Sequence, residues 1–204
     1  GCRMTGGGND EYPETGNRNV YSFGGQAGAS TALPPQPKGE WTHHNERGPD
    51  GSFTFHGGTS SASPGTLIEW IECSDPSWCK PARKAPAKQL DFAGIGEFQA
   101  IKNPSTPLED VIPRVTLHWF EVNIDDAGEP GKSDPETDCP ELGFGRRGGE
   151  TLIDCDCPDF YRIRIHENEF ESSPVIYEVY GYLDGGNFQI HPLTGKDRKG
   201  DVED

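Results

Sequence analysis

Six carboxylates crowd the run "NIDDAGEPGKSDPETDC" at residues 123–139: Asp125, Asp126, Glu129, Asp134, Glu136 and Asp138. Calcium gathers roughly six to eight oxygens from carboxylates and carbonyls. Asp125, Asp126, Glu129 and Asp134 are therefore the candidate ligands of a calcium site. The order of residues departs from the D-x-[DN]-x-[DN]-G of an EF-hand, and Pro130 interrupts any such register. Two adjacent aspartates on an extended chain also point to opposite sides. Gly128, Pro130 and Gly131 are turn formers. The run reads first as an ordered acidic turn between strands and second as a calcium loop, and no other cofactor is expected.

Other chemistry finds weaker footing. A glycosidase needs two carboxylates roughly 5–10 Å apart across a cleft, and Glu69, Glu72, Glu97 and Glu121 sit on strand-like segments where this is conceivable. In a chain with 34 acidic residues, such side chains are usually surface. "THHNE" at 42–46, with His56 and His118 elsewhere, suggests zinc, but His43 and His44 diverge if the segment is a strand. "HENEF" at 166–170 lacks the second histidine of H-E-x-x-H, and no G-x-S-x-G, phosphate loop or C-x-x-C-H occurs. The expectation is a protein that is not an enzyme. The aromatics offer more: Ile176, Tyr180 and Tyr182 share one parity, so Tyr180 and Tyr182 form a candidate binding surface. Such a surface stacks on sugar rings or packs against another subunit.

The elements that position these residues must be built from a chain that is only 31% hydrophobic, with 27 Gly and 18 Pro. Aromatic and β-branched runs interrupt the Gly/Pro-rich stretches, which points to an ordered protein with short strands and much loop. The formal charge of −16 repels nucleic acid and anionic lipid, because binding a polyanion relies on clustered Lys and Arg. No apolar run approaches the ~18 residues that a membrane span needs.

Strand candidates are "NVYSF" (19–23), "GEWTHH" (39–44) and "GSFTFHG" (51–57) around a turn-rich hairpin loop, "TLIEWIE" (66–72) and "QLDFAGIGEFQAI" (89–101). In the last, Leu90, Phe92 and Phe98 share a parity, and Gly94 and Gly96 mark a bend or bulge. "RVTLHWFEVNI" (114–124) is apolar on both faces, as a central strand is. "FYRIRIH" (160–166) alternates, with Tyr161, Ile163 and Ile165 on one side and Arg162 and Arg164 on the other. "VIYEVYGYL" (175–183) and "NFQIH" (187–191) flank "DGGN", a hairpin signal. The expected fold is all-β, a β-sandwich of antiparallel sheets with long loops and disulfides. The expected organisation is an extended segment at 1–38, a β region at 39–110 and a β-sandwich region at 111–204, with one continuous domain over 39–204 as the alternative. "NVYSF", if extended, is placed to add to the sheet edge of a neighbouring copy.

Six cysteines without zinc or haem spacing favour disulfides and an oxidising, extracytoplasmic compartment. Cys73 and Cys79 bracket a Pro-containing turn and are expected to pair. Cys155 and Cys157 point apart if extended, so one is expected to join Cys139 and the other Cys2. Gly1 in place of an initiator Met is what a processed chain shows.

"RMTGGG" at 3–8, "DDAGEPG" at 125–131 and "VYGYLDGGNFQIHP" at 179–192 resemble the secreted bacterial β-domains called post-COAP domains, after the choice-of-anchor surface proteins that they accompany. "GEWTHHNERGPDGSFTFHGG" is similar to that family's His-rich strand pair, and "IECSDPSW…APAKQLDFAGIGEF" to its Cys-Asp-Pro turn and Gly-rich strand. The resemblance implies secretion and surface association, and it brings no catalytic residues. It also implies a cysteine near His44 bridging Cys73. This sequence has none there and carries Cys79 instead, and the insert with Cys139, Cys155 and Cys157 is extra.

The expected function is thus a non-catalytic extracellular or cell-surface structural protein, a subunit of a self-assembling filament or matrix with a role in adhesion. The alternative is a carbohydrate- or surface-binding module with a calcium-ordered loop. A secreted hydrolase stands third.

Overall fold

The computed structural model describes residues 2–12, 17–29, 36–46, 52–58, 65–74, 87–102, 117–127 and 157–192. Every regular element among them is a strand: β1 (Cys2–Tyr12), β2 (Asn17–Ala29), β3 (Pro37–Asn45), β4 (Ser52–Gly58), β5 (Leu67–Ser74), β6 (Gln89–Lys102), β7 (Leu117–Asp125), β8 (Phe160–His166), β9 (Val175–Tyr182) and β10 (Gly185–Pro192). All pairings are antiparallel, in the order β10-β1-β2-β3-β4-β6-β7-β8-β9, with β5 alongside β6. Among the described residues no helix is long and apolar enough to cross a membrane.

Strand β6 organises the sheet. One edge pairs with β7 over Gln89–Glu97. The other is shared, with β5 taking Gln89–Ile95 and β4 taking Gly96–Lys102. The glycines of "FAGIGEF" make this junction possible, since a side chain at Gly96 would collide with the ring of Phe55. One register shift lies in β5, where Glu69 is extra between Ile68 and Trp70, and the other in β6, where Gln99 is extra opposite Thr54/Phe55.

The long sheet curls until its inner faces meet, giving the expected sandwich-like core. Met4, Phe23, Trp41, Phe55, Phe92, Phe120, Tyr161, Ile163 and Phe188 are all buried in one cluster. The clean alternation of "FYRIRIH" puts Tyr161, Ile163 and Ile165 there, and β7 is buried on both faces as a central strand. Phe23 stacks on Tyr161 with ring centroids 3.6 Å apart, joining β2 to β8 across the core.

Two expectations about the chain's course need correction. "NVYSF" lies inside β2, between β1 and β3, and Tyr21 and Phe23 fill this chain's own core. It is not a strand held out for a neighbour, because its aromatic side chains already have an apolar destination. Sheet and core thus run from Cys2 to Ile190, across the expected boundaries at 38/39 and 110/111. The second correction concerns "DGGN". It joins β9 to β10, but these strands do not pair and instead end the hydrogen-bonded path on opposite sides. Leu183 N donates to Asp159 O (2.9 Å) and Asp184 N to Asn9 O (3.1 Å), so the turn passes the chain from β8's side to β1's. The glycines here let β10 lie close to the Gly-rich β1, with Gly186 at a φ of 108°.

Candidate binding face and the polar sites around it

The outer face of the β6–β9 layer carries two cross-strand rows. One runs Asp91–Asn123–Arg162–Tyr180 and the next Ala93–Glu121–Arg164–Glu178. Because side chains alternate, every second residue of these strands appears on this face. Arg162 Nε donates to Glu178 Oε1 at 2.7 Å, and Arg164 Nη2 bonds Glu121 Oε2. Asn123 Nδ2 donates to Asp91 Oδ1 at 3.0 Å. Glu121 also accepts from Trp119 Nε1 (3.4 Å) and lies 3.8 Å from His166 Nε2. Tyr180 stands 48% exposed at the end of its row. Tyr182 is half-buried, edge-on to Phe160. The shared parity of Ile176, Tyr180 and Tyr182 thus marks the outward side of β9, next to matched ion pairs.

The acidic run is only partly in view, since Glu129 and Asp134 lie outside the described residues. Asp125 ends β7 fully buried. Asp126 Oδ2 accepts the backbone N–H of Ile190 at 2.9 Å. Asp159, unnoticed in the sequence, accepts from Ala127 N (3.0 Å) and, through its second oxygen, from Phe188 N (2.7 Å). Two carboxylates therefore occupy the edge of β10 that faces away from β1, serving backbone donors that would otherwise be buried without a partner. No three His, Cys, Asp or Glu among the described residues are grouped as metal ligands.

The histidines divide as an extended strand requires. His44 faces out, with Nδ1 2.9 Å from Thr54 Oγ1, while His43 faces in and is completely buried. His43 Nδ1 lies 3.2 Å from Tyr161 Oη, and its Nε2 2.9 Å from Tyr177 Oη. Trp41 Nε1 donates to Tyr161 Oη (3.1 Å), and Tyr177 Oη donates to Asn45 Oδ1 (3.4 Å). Because the Tyr177 hydroxyl gives its proton to Asn45, its oxygen accepts from His43 Nε2–H, and a neutral imidazole then accepts at Nδ1 from Tyr161. Trp41 gives to Tyr161, Tyr161 to His43 Nδ1, His43 Nε2–H to Tyr177, and Tyr177 to Asn45. One proton per bond requires a neutral imidazole. Burial first, and the neighbouring His44 second, lower the His43 pKa from 6.5 to about 3. Beside this chain, Tyr21 Oη bonds Asp10 Oδ2, and burial followed by the Asp10 charge raises the phenol's pKa. A side chain at Gly181 would strike that carboxylate. His118 Nδ1 donates to His166 O (2.7 Å), and His56 Nδ1 meets Thr42 Oγ1 (3.3 Å).

Of the strand glutamates, Glu69 and Glu72 are exposed on β5, Glu97 is half-buried on β6 and Glu121 is engaged by Arg164.

The disulfide expectation is overturned for Cys2 and Cys73. They bond to each other, with Cα atoms 6.5 Å apart. Cys2 opens β1 inside the core and Cys73, near the end of β5, packs against the same cluster, so folding rather than proximity in sequence brings them together. Cys157 is also disulfide-bonded. Cys79, Cys139 and Cys155 lie outside the described residues. Compared with known proteins, the chain matches no family model, no curated protein and no solved structure.

Proposed function

We propose that this is a non-catalytic extracellular structural protein that works by surface contact, with copies assembling through the outer face of β8 and β9. The carrying observation is the exposed Tyr180 beside two matched ion pairs, Arg162–Glu178 and Arg164–Glu121. On a chain of charge −16, such a face lets copies meet without bringing unmatched carboxylates together. The Cys2–Cys73 bond supports an oxidising compartment, and the resemblance to secreted surface β-domains points the same way. Asp126, one of the four candidate calcium ligands, accepts the backbone N–H of Ile190 through Oδ2.

A glycan is the second reading, favoured by the same exposed tyrosine flanked by planar polar groups. Negative-stain electron microscopy in calcium, and again after chelation, tests the first. Regular assemblies that survive chelation and disappear with Tyr180→Ala are expected. Dispersed particles in both conditions, together with Tyr180-dependent retention on a glycan array, would replace assembly by carbohydrate binding.

A further inference from the structure

Strand β9 ends the hydrogen-bonded path and, among the described residues, is laddered to β8 alone. Both of its ends are fastened. Before it, Glu167 N donates to Pro174 O (2.8 Å) and Trp119 N to Asn168 O (2.7 Å). After it, Leu183 N donates to Asp159 O (2.9 Å) and Asp184 N to Asn9 O (3.1 Å). Between these ties Val175 and Tyr180 stand exposed, and Tyr177 and Val179 are the buried side chains. Lifting β9 therefore uncovers little apolar surface. Across the core the strand is held by polar bonds, from Tyr177 Oη to His43 Nε2 (2.9 Å) and to Asn45 Oδ1 (3.4 Å) on β3.

The proton count of this tie balances only while His43 is uncharged. A second ring proton, on Nδ1, would face the Tyr161 oxygen, which already takes the Trp41 indole N–H. Tyr161 would then have to aim its own proton elsewhere in the core. Both ring nitrogens bond phenols and neither bonds a carboxylate, so the added charge gains no counter-ion. The rings around His43 are Tyr21 of β2 (5.6 Å between centroids), Phe53 of β4 (6.1 Å), Tyr161 of β8 (5.9 Å) and Tyr177 of β9 (5.5 Å). The carboxylate of this group, Asp10 of β1, is held by the Tyr21 hydroxyl. His44, next along β3, faces out and would add like charge once protonated. Of the strands that touch His43, β2, β4 and β8 are laddered on both edges, and β9 on one. It is the strand that can yield at least cost.

We propose that protonation of His43 releases β9, so that in mild acid Val175–Tyr182 lifts from the sheet and water reaches the imidazolium while the other strands stay folded. The open form takes up the proton near the ordinary value of 6.5, whereas burial first and His44 second hold the closed form down to about 3. The closed form is thus favoured in full above pH 6.5. Below it, the open population grows about tenfold for each pH unit down to about 3. Lifting β9 also takes Glu178 from Arg162 and removes Tyr180 from the outer face. That loss of the contact face rests on the function proposed above, and the opening itself does not.

The test is amide hydrogen exchange read by mass spectrometry at pH 7, 6, 5 and 4, with intrinsic rates divided out. Exchange across Val175–Tyr182 should rise about tenfold per unit between pH 6 and 4, with β6 and β7 still protected. In His43→Gln, whose amide can accept from Tyr161 and donate to Tyr177 without titrating, that rise should be absent. An equal rise in His43→Gln would assign the opening to carboxylates and overturn the proposal. So would a flat wild-type profile, or loss of protection in β6 and β7 together with β9. Should His43→Gln fail to fold, a long-range proton–nitrogen spectrum of wild type decides. His43 should carry its proton on Nε2 and remain neutral in the closed form at pH 7 and at pH 5. A closed form with the proton on Nδ1, or already charged at pH 5, would overturn the proposal equally.

Discussion

His43 shows how little a residue type alone reveals. As one of two adjacent histidines it suggested a metal ligand, yet it passes a hydrogen bond between two buried tyrosines. The unfolded chain takes up this proton near pH 6.5 and the folded chain only near 3. Its contribution to stability is therefore complete above pH 6.5 and falls as pH drops through that window, by up to about 1.4 kcal/mol per pH unit. Urea unfolding at pH 7, 5 and 4 should show this slope for wild type and a shallower one for His43→Gln. Equal slopes would remove His43 from the account. Asp159 gives a second case. Asp159→Ala strips an acceptor from Ala127 N and Phe188 N and should cost about 2–3 kcal/mol, whereas a merely solvated acid would cost almost nothing. Burial separates such cases, and a single sequence does not display it at an isolated aspartate.

At the scale of strands, the sequence was most legible where periodicity speaks. The two-sided apolar run became the central β7, and the alternation of "FYRIRIH" correctly divided core from outer face. It was least legible where partners are distant. "DGGN" has the local chemistry of a hairpin, but β10 finds its ladder on β1, about 180 residues away in sequence, because turn chemistry constrains only the next few residues. The Gly-rich start hid β1 and the part of β2 beyond "NVYSF" for a related reason: strands that meet backbone to backbone need few large side chains. Removing residues 1–29 should therefore abolish cooperative unfolding, as it deletes two strands and the aromatic rings of Tyr21 and Phe23. A truncated chain that still melts sharply would contradict this. Cys2–Cys73 joins strands separated by 71 residues, and replacing both cysteines by serine should cost about 2–5 kcal/mol. Peptide mapping without reductant should recover Cys2 joined to Cys73, and recovery of Cys73 with Cys79 would refute that connectivity.

For the whole molecule, charge and contact surface oppose one another. A net charge of −16 keeps copies apart at low ionic strength, while the neutralised Tyr180 face offers a place to meet. That face was not fully legible in the sequence. Parity identified the outward side of β9, but the ion pairs beside Tyr180 depend on register between β7, β8 and β9. The most direct measurement is sedimentation velocity of wild type and Tyr180→Ala at ~20 and ~500 mM salt. Wild type should be monomeric at low salt and associate as the charges are screened, with Tyr180→Ala monomeric throughout. A wild type that stays monomeric at every salt concentration, or associates equally well without Tyr180, would contradict assembly through this face.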